Sequence, residues 1–407
     1  MRVLIINQFA SAPEYCTGAG ERHFYIASKL KDKGYDFTIL SGSTNHLFIK
    51  DPPSKKIFNE ELIEGGRFIW VRLRKYKGES FAGRTVSWIE FLIKLFFFKF
   101  TLANKPDIVI VSSMSLLPVL YATYLRKRLK IPFVLEIRDI WPLTPIEIGG
   151  FSNRNPLIWA FELLEKYAYR RADAIISLMP DFKAHLERTI KKSRPVYWIP
   201  NAIEQALEVN ILNSKTSSSF GVFTIAYAGT LGNANAMECF IKAADFLKNE
   251  EIIFLIIGDG PEKSNLQRLA NLNSKVKFID KVPKNEVLSI LSNVNVGFIS
   301  WHGLHLYDYG VSANKYNDYM IAGLPIISAS NIPSEPVMVA KCGLQVPAGS
   351  EKSIADAIMT LYKMSPEERK ALGRNGYDYV LRHNTYEQVS ELYEKCILEL
   401  NEKYSTN

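Results

Sequence analysis

Two side chains suited to binding a charged ligand, Lys315 and Asp318, lie one helical turn apart in the sequence. Ser312 can cap a helix that starts just before them, Gly323 can end that helix in a left-handed turn, and Pro325 prevents it from continuing. A helix start carries unpaired N–H groups, which together with a lysine suit a phosphate. A carboxylate can accept hydrogen bonds from sugar hydroxyls. The pattern indicates a clamp for a nucleotide sugar, and the alternative is an ordinary connection between a helix and a strand.

The elements that must position these residues alternate along the chain. Runs of Val, Ile and Leu without polar alternation predict strands of parallel sheets covered on both faces, and helical stretches lie between them. The predicted strands cover residues 2–7, 36–41, 68–73, 107–112, 132–137 and 174–178 in the first half, and residues 223–228, 252–257, 276–279, 295–299, 325–328 and 344–346 in the second.

This alternation predicts an α/β protein with two doubly wound, Rossmann-like domains that face a cleft. A length of 407 residues also favours two domains. The expected domains are residues 1–200 and 201–385, with a serine-containing linker at 201–221. Apolar residues at helical spacing predict a last helix within 386–407, and we expect it to pack back toward the first domain.

Composition argues against several kinds of site. The four cysteines are widely spaced and form no C-x-x-C pair, so neither a zinc site nor a disulfide framework is indicated. No D-x-D occurs, and we expect no metal and no cofactor beyond a nucleotide-sugar substrate. Met1 and Arg2 lead directly into the first predicted strand, with no secretory signal. We therefore expect a cytoplasmic protein.

The charge is unevenly distributed between the two halves. Residues 1–200 hold 31 Lys and Arg against 19 Asp and Glu, a net +12, whereas residues 201–407 have a net charge of −4. A basic half suggests nucleic acid, an anionic membrane or a phosphorylated substrate. The segment 86–103 combines aliphatic residues with Trp88, Phe91, Phe96, Phe97 and Phe98, and several basic residues lie just before it. This composition favours a segment lying at an anionic bilayer surface, and a core helix beside a basic loop is the alternative.

A glycine loop follows the first predicted strand. Gly18 and Gly20 allow backbone N–H groups to approach an anion closely. A dinucleotide site would continue with a third glycine, where this chain has His23, and with an acidic residue at the end of the second strand, where it has Ser41. NAD binding is therefore disfavoured, and the loop either meets an anion or is a tight turn.

Five short patches share their order with a known family. They are residues 17–23 (TGAGERH), 138–142 (RDIWP), 200–202 (PNA), 258–262 (GDGPE) and 308–328. Over nearly its whole length the chain resembles the retaining glycosyltransferases of family 4, which have the GT-B fold. The resemblance is closest to enzymes that build bacterial O-antigen and capsule sugars on a lipid carrier.

The resemblance implies a donor site in the second domain and an acceptor site in the first. The implied donor-binding residues are Gly20, Gly229, Thr230, Gly258, Gly260, Pro261, Val282, Ser312, Asn314, Lys315 and Asp318. The implied acceptor-binding residues are Gly18, Arg22, His23, Arg138 and Asp139. Catalysis is assigned to Asp139, Lys315 and Asp318. Asp139 ends a predicted strand, where it can orient or deprotonate the acceptor hydroxyl; capping the following turn is the alternative.

The chain departs from the family pattern at four positions. The family's first glutamate corresponds to Gly310, its second to Asp318, and its phosphate-binding Arg and Lys to Thr230 and Asn235. Lys315 with its helix start, or Arg22, must then carry more of the phosphate charge. The resemblance to retaining enzymes without an evident nucleophile implies front-face displacement.

The leading hypothesis is a glycosyltransferase on the inner face of the cytoplasmic membrane. The resemblance implies a UDP-sugar donor and a polyprenyl-diphosphate-linked saccharide acceptor. The charge and aromatic residues of the first half predict an anionic membrane partner bound through the first domain. One alternative is a nucleotide-sugar epimerase of the same fold, which would need no acceptor. Another is a membrane-bound scaffold that has lost its chemistry. Nucleic-acid binding is not expected, because the basic half contains no recognised binding motif.

Overall fold

The computed structural model describes residues 1–16, 20–45, 48–76, 81–101, 104–112, 115–204, 221–271 and 273–405. The chain forms two compact units, one comprising Met1–Pro200 with Tyr386–Asn407 and the other Asn201–Thr385. Most of the expected linker lies outside the described residues, and so does Gly18.

A largely parallel sheet forms the centre of the first unit. Its strands are β1 (Arg2–Ile6), β2 (Asp36–Gly42), β3 (Phe58–Ile63), β4 (Gly66–Val71), β5 (Ile108–Ser112), β6 (Phe133–Ile137), β7 (Ala174–Ser177) and β8 (Val196–Trp198). Among the described residues the strand order is β3-β4-β2-β1-β5-β6-β7-β8. Val3 pairs with Phe37 on one side and with Ile108 on the other, so β1 is central. The order reverses direction between β1 and β5, which makes this the switch point of the sheet.

Helices connect the strands of the first unit. They are α1 (Arg22–Lys31), α2 (Phe81–Leu95), α3 (Pro118–Leu129), α4 (Leu143–Glu147), α5 (Pro156–Arg171) and α6 (Phe182–Ile190). Asn155 caps α5, because its side chain accepts a hydrogen bond from the N–H of Leu157 at 2.9 Å.

The second unit repeats the design with a fully parallel sheet. Its strands are β9 (Phe223–Ala228), β10 (Ile252–Ile257), β11 (Val276–Ile279), β12 (Val296–Ser300), β13 (Ile326–Ala329) and β14 (Gly343–Val346). The order in the described residues is β11-β10-β9-β12-β13-β14, with its switch point between β9 and β12. Its helices are α7 (Glu238–Phe246), α8 (Lys263–Ala270), α9 (Lys284–Leu291), α10 (Asn314–Ile321), α11 (Pro336–Val339), α12 (Glu351–Lys363) and α13 (Pro366–His383).

A long C-terminal helix, α14 (Tyr386–Ser405), returns to the first unit and packs against α1. The rings of Tyr25 and Tyr386 stack with centroids 4.6 Å apart. Lys29 forms an ion pair with Glu387 at the same contact. Tyr393, Cys396, Ile397 and Leu400 are buried, so one face of α14 belongs to the core of this unit.

The predicted α/β class with two Rossmann-like sheets is confirmed. The sequence interpretation missed β3, whose partly exposed and charged residues form an antiparallel edge strand rather than a buried parallel one. It also missed α13, although Ser365 and Glu368 form a capping box that is a readable start signal.

The expectation for residues 86–103 is wrong for two of its aromatic side chains. Trp88 and Phe91, predicted to face a bilayer, are buried in the first unit at 2% and 0% exposure. Trp88 packs edge-on against Trp141 and Phe161. Residues 86–95 therefore belong to α2, and the inner face of this helix packs in the core of the first unit.

Candidate functional site

Lys315 occupies the first turn of α10, near the switch point of the second sheet. Its ammonium group donates a hydrogen bond to Asn235 Oδ1 and lies 4.7 Å from the centroid of the Tyr227 ring. Burial lowers the pKa of Lys315 to about 7, although the carboxylate of Asp318 acts in the opposite direction. The protein thus holds a cation in a place that disfavours its charge. An anion arriving there would restore the charged form.

Glycine makes room for the lysine stem. Gly229 directly follows β9 with φ +151°, and a Cβ at this position would overlap Cε of Lys315. Gly258 directly follows β10 with φ +146°, and a Cβ at this position would overlap the carbonyl oxygen of Gly229. The two strand ends are consequently in close backbone contact beside Lys315. A larger residue at either position would displace the lysine or separate the strands.

The neighbouring loops are fixed by backbone hydrogen bonds. The N–H of Leu231 donates to the Asp259 carbonyl at 2.9 Å. The Thr230 carbonyl accepts from Tyr227 Oη at 2.6 Å and from Asn235 Nδ2 at 2.9 Å. Thr230 thereby anchors the loop through its backbone. Of the other predicted donor residues, Gly260 lies close against Leu231, Pro261 is exposed, and Val282 packs against a core cluster.

The start of α10 carries no side-chain cap, so the predicted capping role of Ser312 is wrong. The N-cap residue is Ala313 in an extended conformation. Ser312 Oγ instead accepts from the N–H of Asn201 at 2.7 Å, and Asn201 Nδ2 donates to the Ser312 carbonyl at 2.6 Å. This contact occupies the hydroxyl and leaves the N–H groups at Asn314 and Lys315 without a capping side chain.

The far end of α10 follows the sequence prediction. Gly323 adopts φ +63° and its N–H donates to the Met320 carbonyl. The N–H of Leu324 reaches back to the Tyr319 carbonyl at 3.0 Å. These two bonds form a Schellman motif. The helix therefore has a fixed end and an open start.

Asp318 has a partner that sequence reasoning missed. Lys284, the first residue of α9, forms an ion pair with its carboxylate. The Asp318 side chain is 13% exposed and that of Lys284 is 30% exposed, so the pair is accessible from solvent. The sequence spacing of these two residues does not predict the ion pair, because they lie on different helices that only the tertiary fold brings together.

A cavity of about 260 Å³ borders the same region. It lies beside the short 3₁₀ helix Asn233–Asn235, whose Asn235 also binds Lys315. Its wall includes the indole of Trp301, and His302 Nε2 bonds to the Asn233 carbonyl at 2.6 Å. Glu238, Glu262 and Lys242 line it as well, and Lys242 lies 3.8 Å from the Glu238 carboxylate. An aromatic face with carboxylates is a surface that suits a neutral, hydroxyl-rich group.

In the first unit, Arg138 and Asp139 follow the carboxyl end of β6. Burial raises the pKa of Asp139, although Arg138 beside it acts in the opposite direction. Helix α4 begins after Pro142 without a side-chain cap, and the N–H of Thr144 bonds to the Ile140 carbonyl. Asp139 thus does not cap this turn, and no described residue forms a hydrogen bond with its carboxylate.

Arg22 and His23, expected at an acceptor site, instead belong to a buried network around Glu136. Arg22 Nε donates to Glu136 Oε1 at 2.9 Å, and His23 Nε2 lies 2.8 Å from Glu136 Oε2. The hydroxyl of Tyr393 on α14 donates to the same carboxylate. Burial opposes ionisation of Glu136, but His23 and Arg22 hold its pKa well below the ordinary value.

The same network reaches the end of the first unit. Arg22 also donates to the carbonyl oxygens of Ile199, at 2.8 Å, and Pro200. Asn7 Nδ2 donates to His23 Nδ1 at 3.2 Å, and burial lowers the pKa of His23 despite the nearby carboxylate. Arg22 and His23 therefore hold α1, β6 and α14 together, and their buried polar atoms are used internally. Gly20, next to them, adopts φ +84° and forms a tight turn against Phe9.

The described residues contain no group of three or more His, Cys, Asp or Glu that could hold a metal ion. In the same part of the chain, no helix is long and apolar enough to cross a membrane.

Two family models match the chain. One, described as glycosyl transferases group 1, matches residues 222–364, and the other, a glycosyl transferase 4-like domain, matches residues 17–202. The chain is also 22% identical over 238 residues to WbjE of Pseudomonas aeruginosa, described as a probable glycosyltransferase. That match covers 56% of this chain and 58% of the relative's length.

Solved structures share the fold over nearly the whole chain. Sucrose-phosphate synthase from Thermosynechococcus elongatus has a TM-score of 0.74 at 16% identity, with 98% of each chain covered. HepE from Anabaena, solved in complex with UDP and glucose, has a TM-score of 0.65 at 14% identity, covering 98% of this chain and 100% of its own. At these identities the likeness establishes the fold alone.

Proposed function

Because the chain belongs to the glycosyltransferases of the GT-B fold, we propose that it transfers a sugar from a UDP-sugar to a lipid-linked saccharide, with retention, in the assembly of a bacterial surface polysaccharide such as O-antigen or capsule. The donor binds the second unit and the acceptor binds the first. The observation that carries this proposal is the open start of α10 with Lys315 beside it.

The donor's diphosphate is the group that fits this place. Its oxygens accept hydrogen bonds from the uncapped N–H groups of α10 and from the Lys315 ammonium. As the bond from the sugar C1 to the phosphate oxygen breaks, negative charge grows on the diphosphate, and the same donors stabilise it. The acceptor hydroxyl attacks C1 from the same face, and its proton passes to the leaving phosphate oxygen or to Asp139. No metal is needed in this scheme.

The remaining donor contacts follow from the neighbouring groups. Asp318 accepts hydrogen bonds from the ribose hydroxyls beside the ion pair that it forms with Lys284. The transferred sugar enters the cavity bounded by Trp301, with Glu238 and Glu262 accepting hydrogen bonds from its hydroxyls.

The acceptor site of the proposal centres on Asp139 and Arg138. Asp139 has a raised pKa and forms no side-chain hydrogen bond with a described residue, as expected for a group that meets a substrate hydroxyl. A polyprenyl-diphosphate saccharide is the proposed acceptor class, and the +12 charge of residues 1–200 favours an anionic lipid phase as its source. The protein would act on the inner face of the cytoplasmic membrane.

The test is a thermal-shift screen of UDP, GDP, ADP, UDP-sugars and NAD, followed by calorimetry of each ligand that stabilises the protein. UDP and at least one UDP-sugar should raise the unfolding midpoint. Lys315→Ala should weaken UDP binding, whereas Lys248→Ala, at an exposed position on the same unit, should not. Stabilisation by NAD and by no nucleoside diphosphate would refute the proposal.

A further inference from the structure

Helix α2 is apolar on both of its faces. Trp88, Phe91 and Leu95 are buried on one side. Val86, Ile89 and Ile93, which share the opposite side by helical spacing, are 56%, 46% and 53% exposed. A surface helix of a globular domain normally carries polar residues on its outer face. The outer face of α2 therefore exposes apolar side chains whose contact with water is unfavourable.

Two charged side chains in the second half of α2, Glu90 and Lys94, do not interrupt this outer face. Glu90 and Lys94 form an i,i+4 ion pair at 2.6 Å, and both side chains are largely buried. Glu90 also accepts from the N–H of Arg74 at 3.1 Å, and Lys94 donates to the Arg72 carbonyl. The two ions are thus bound to each other and to the segment after β4. Neither of these two charges is therefore free on the outer stripe of α2.

Helix α5 extends the apolar surface. Its Phe161 is buried against Trp88 of α2, with ring centroids 6.3 Å apart, so the two helices are neighbours. Trp159 and Leu163, one turn apart, are 69% and 67% exposed. An indole exposed to this degree beside an exposed leucine is unusual for a single unit in water. Lys166 and Arg170 continue the same stripe toward the helix end, so apolar anchors are followed by cations.

A further group of exposed aromatic side chains lies in the turn that follows α2 and on α3. Phe96 and Phe97 are both exposed, and Phe96 packs edge-on against Tyr121 of α3 at 5.2 Å. Tyr124, one turn further along α3, is partly exposed and lies under the Arg128 guanidinium at 5.7 Å. Cations therefore border the apolar surface on α3 as they do on α5.

We propose that this three-helix face, formed by the outer sides of α5, α2 and α3, lies in the interfacial layer of an anionic lipid bilayer. Aliphatic and aromatic side chains at the centre with Lys and Arg at the margin match the boundary between acyl chains and acidic headgroups. The net charge of residues 1–200 is of the complementary sign. The inference rests on the proposed function, because a lipid-linked acceptor would be presented at such a surface.

The alternative occupant is a second copy of the chain. An isologous dimer would cover the same apolar stripe, but it would also bring the marginal cations of each copy near those of the other. Like charges in a rim disfavour association. A bilayer with acidic headgroups satisfies both the apolar centre and the cationic margin.

The experiment measures co-sedimentation with vesicles of phosphatidylcholine alone and of phosphatidylcholine mixed with phosphatidylglycerol, at low and high salt. Wild type should bind the mixed vesicles, and high salt should weaken but not abolish binding. The double variant Trp159→Ser/Leu163→Ser should lose the salt-resistant part, about tenfold for each side chain withdrawn from lipid. The double variant Lys166→Gln/Arg170→Gln should lose affinity chiefly at low salt.

The matched control is Phe246→Ser/Leu269→Ser, which removes two exposed apolar side chains from the second unit and should bind vesicles as wild type does. Circular dichroism and the UDP thermal shift are recorded for every variant, so that a failure to bind UDP, which would refute the proposed function, is seen separately from a failure to bind lipid. Wild-type affinity of Trp159→Ser/Leu163→Ser for mixed vesicles at high salt would overturn the inference. So would a dimer in the ultracentrifuge that this variant dissociates while neither protein binds vesicles.

Discussion

Replacing Lys315 with methionine should have opposite effects on stability and on ligand binding. The folded protein lowers the pKa of this ammonium from 10.5 to about 7 by burial. One pKa unit corresponds to about 1.4 kcal/mol, so holding the lysine in the folded state at pH 7 costs on the order of 2–4 kcal/mol. Methionine keeps much of the apolar stem and removes the charge. The ligand-free variant should therefore be more stable than wild type at pH 7.

The sign of the pH dependence follows from the same shift. Between pH 7 and 10.5 the unfolded lysine is protonated while the folded one is increasingly neutral, so the unfolded state binds more protons. This contribution makes wild-type stability rise with pH across that window, and Lys315→Met should lack it. The advantage of the variant should then shrink from pH 7 to pH 9.5. Urea unfolding at both pH values measures the difference.

UDP binding should respond in the opposite direction. Loss of a charge-assisted contact to the diphosphate costs about 2–3 kcal/mol, roughly 30- to 150-fold in Kd. Because the pKa of Lys315 in the free protein is about 7, part of the lysine is neutral at pH 7, and wild type should take up a fraction of a proton as UDP binds. Calorimetry in buffers of different ionisation enthalpy detects this uptake. A variant that binds UDP like wild type, or that is less stable without ligand, would refute the reasoning.

Three further substitutions test other parts of the account. Gly229→Ala should destabilise the fold and weaken UDP binding by about 1–3 kcal/mol, because the added Cβ overlaps the Lys315 stem. Gly221→Ala is the control, since Gly221 also has a positive φ, +62°, but open space around it. Calorimetry and urea unfolding measure both variants. Asp139→Asn should bind UDP normally but lower turnover with a lipid-linked acceptor by about 10²–10⁴-fold, and full turnover would exclude the proposed role. Arg22→Met should cost about 3–5 kcal/mol of stability by leaving Glu136 buried without this partner, with unchanged UDP affinity in the folded fraction; an unaffected urea midpoint would contradict the structural role.

The sequence was informative where chemistry and backbone geometry are encoded in neighbouring residues. The buried aliphatic runs predict both parallel sheets, because strands covered on two faces need little polar alternation. Gly323 and Pro325 predict the end of α10 for the same local reason. Its place at a predicted helix start indicates that Lys315 binds a phosphate, and the structure adds that burial lowers the pKa of this lysine.

Contacts between distant segments were not readable. Ser312 resembles a cap by its position, but Asn201, more than a hundred residues away, takes its hydroxyl. The sequence predicts that Arg22 binds a substrate. In the fold, β6 places Glu136 beside Arg22, and Tyr393 of α14 bonds to the same carboxylate. The Lys284–Asp318 pair likewise depends on the packing of two helices. Trp88 could be placed only once the fold showed which side of α2 is covered.

The measurement that tests the central claim most directly is the mass of the lipid product. Purified protein is incubated with the UDP-sugar that gives the largest thermal shift and with a polyprenyl-diphosphate saccharide fraction, and lipid and nucleotide products are analysed together by mass spectrometry. The account predicts that the lipid gains the mass of one sugar residue while an equimolar amount of UDP is released, and that Lys315→Met forms much less of both. Conversion of the donor into an isomer or into free sugar, with no gain in lipid mass, would contradict it.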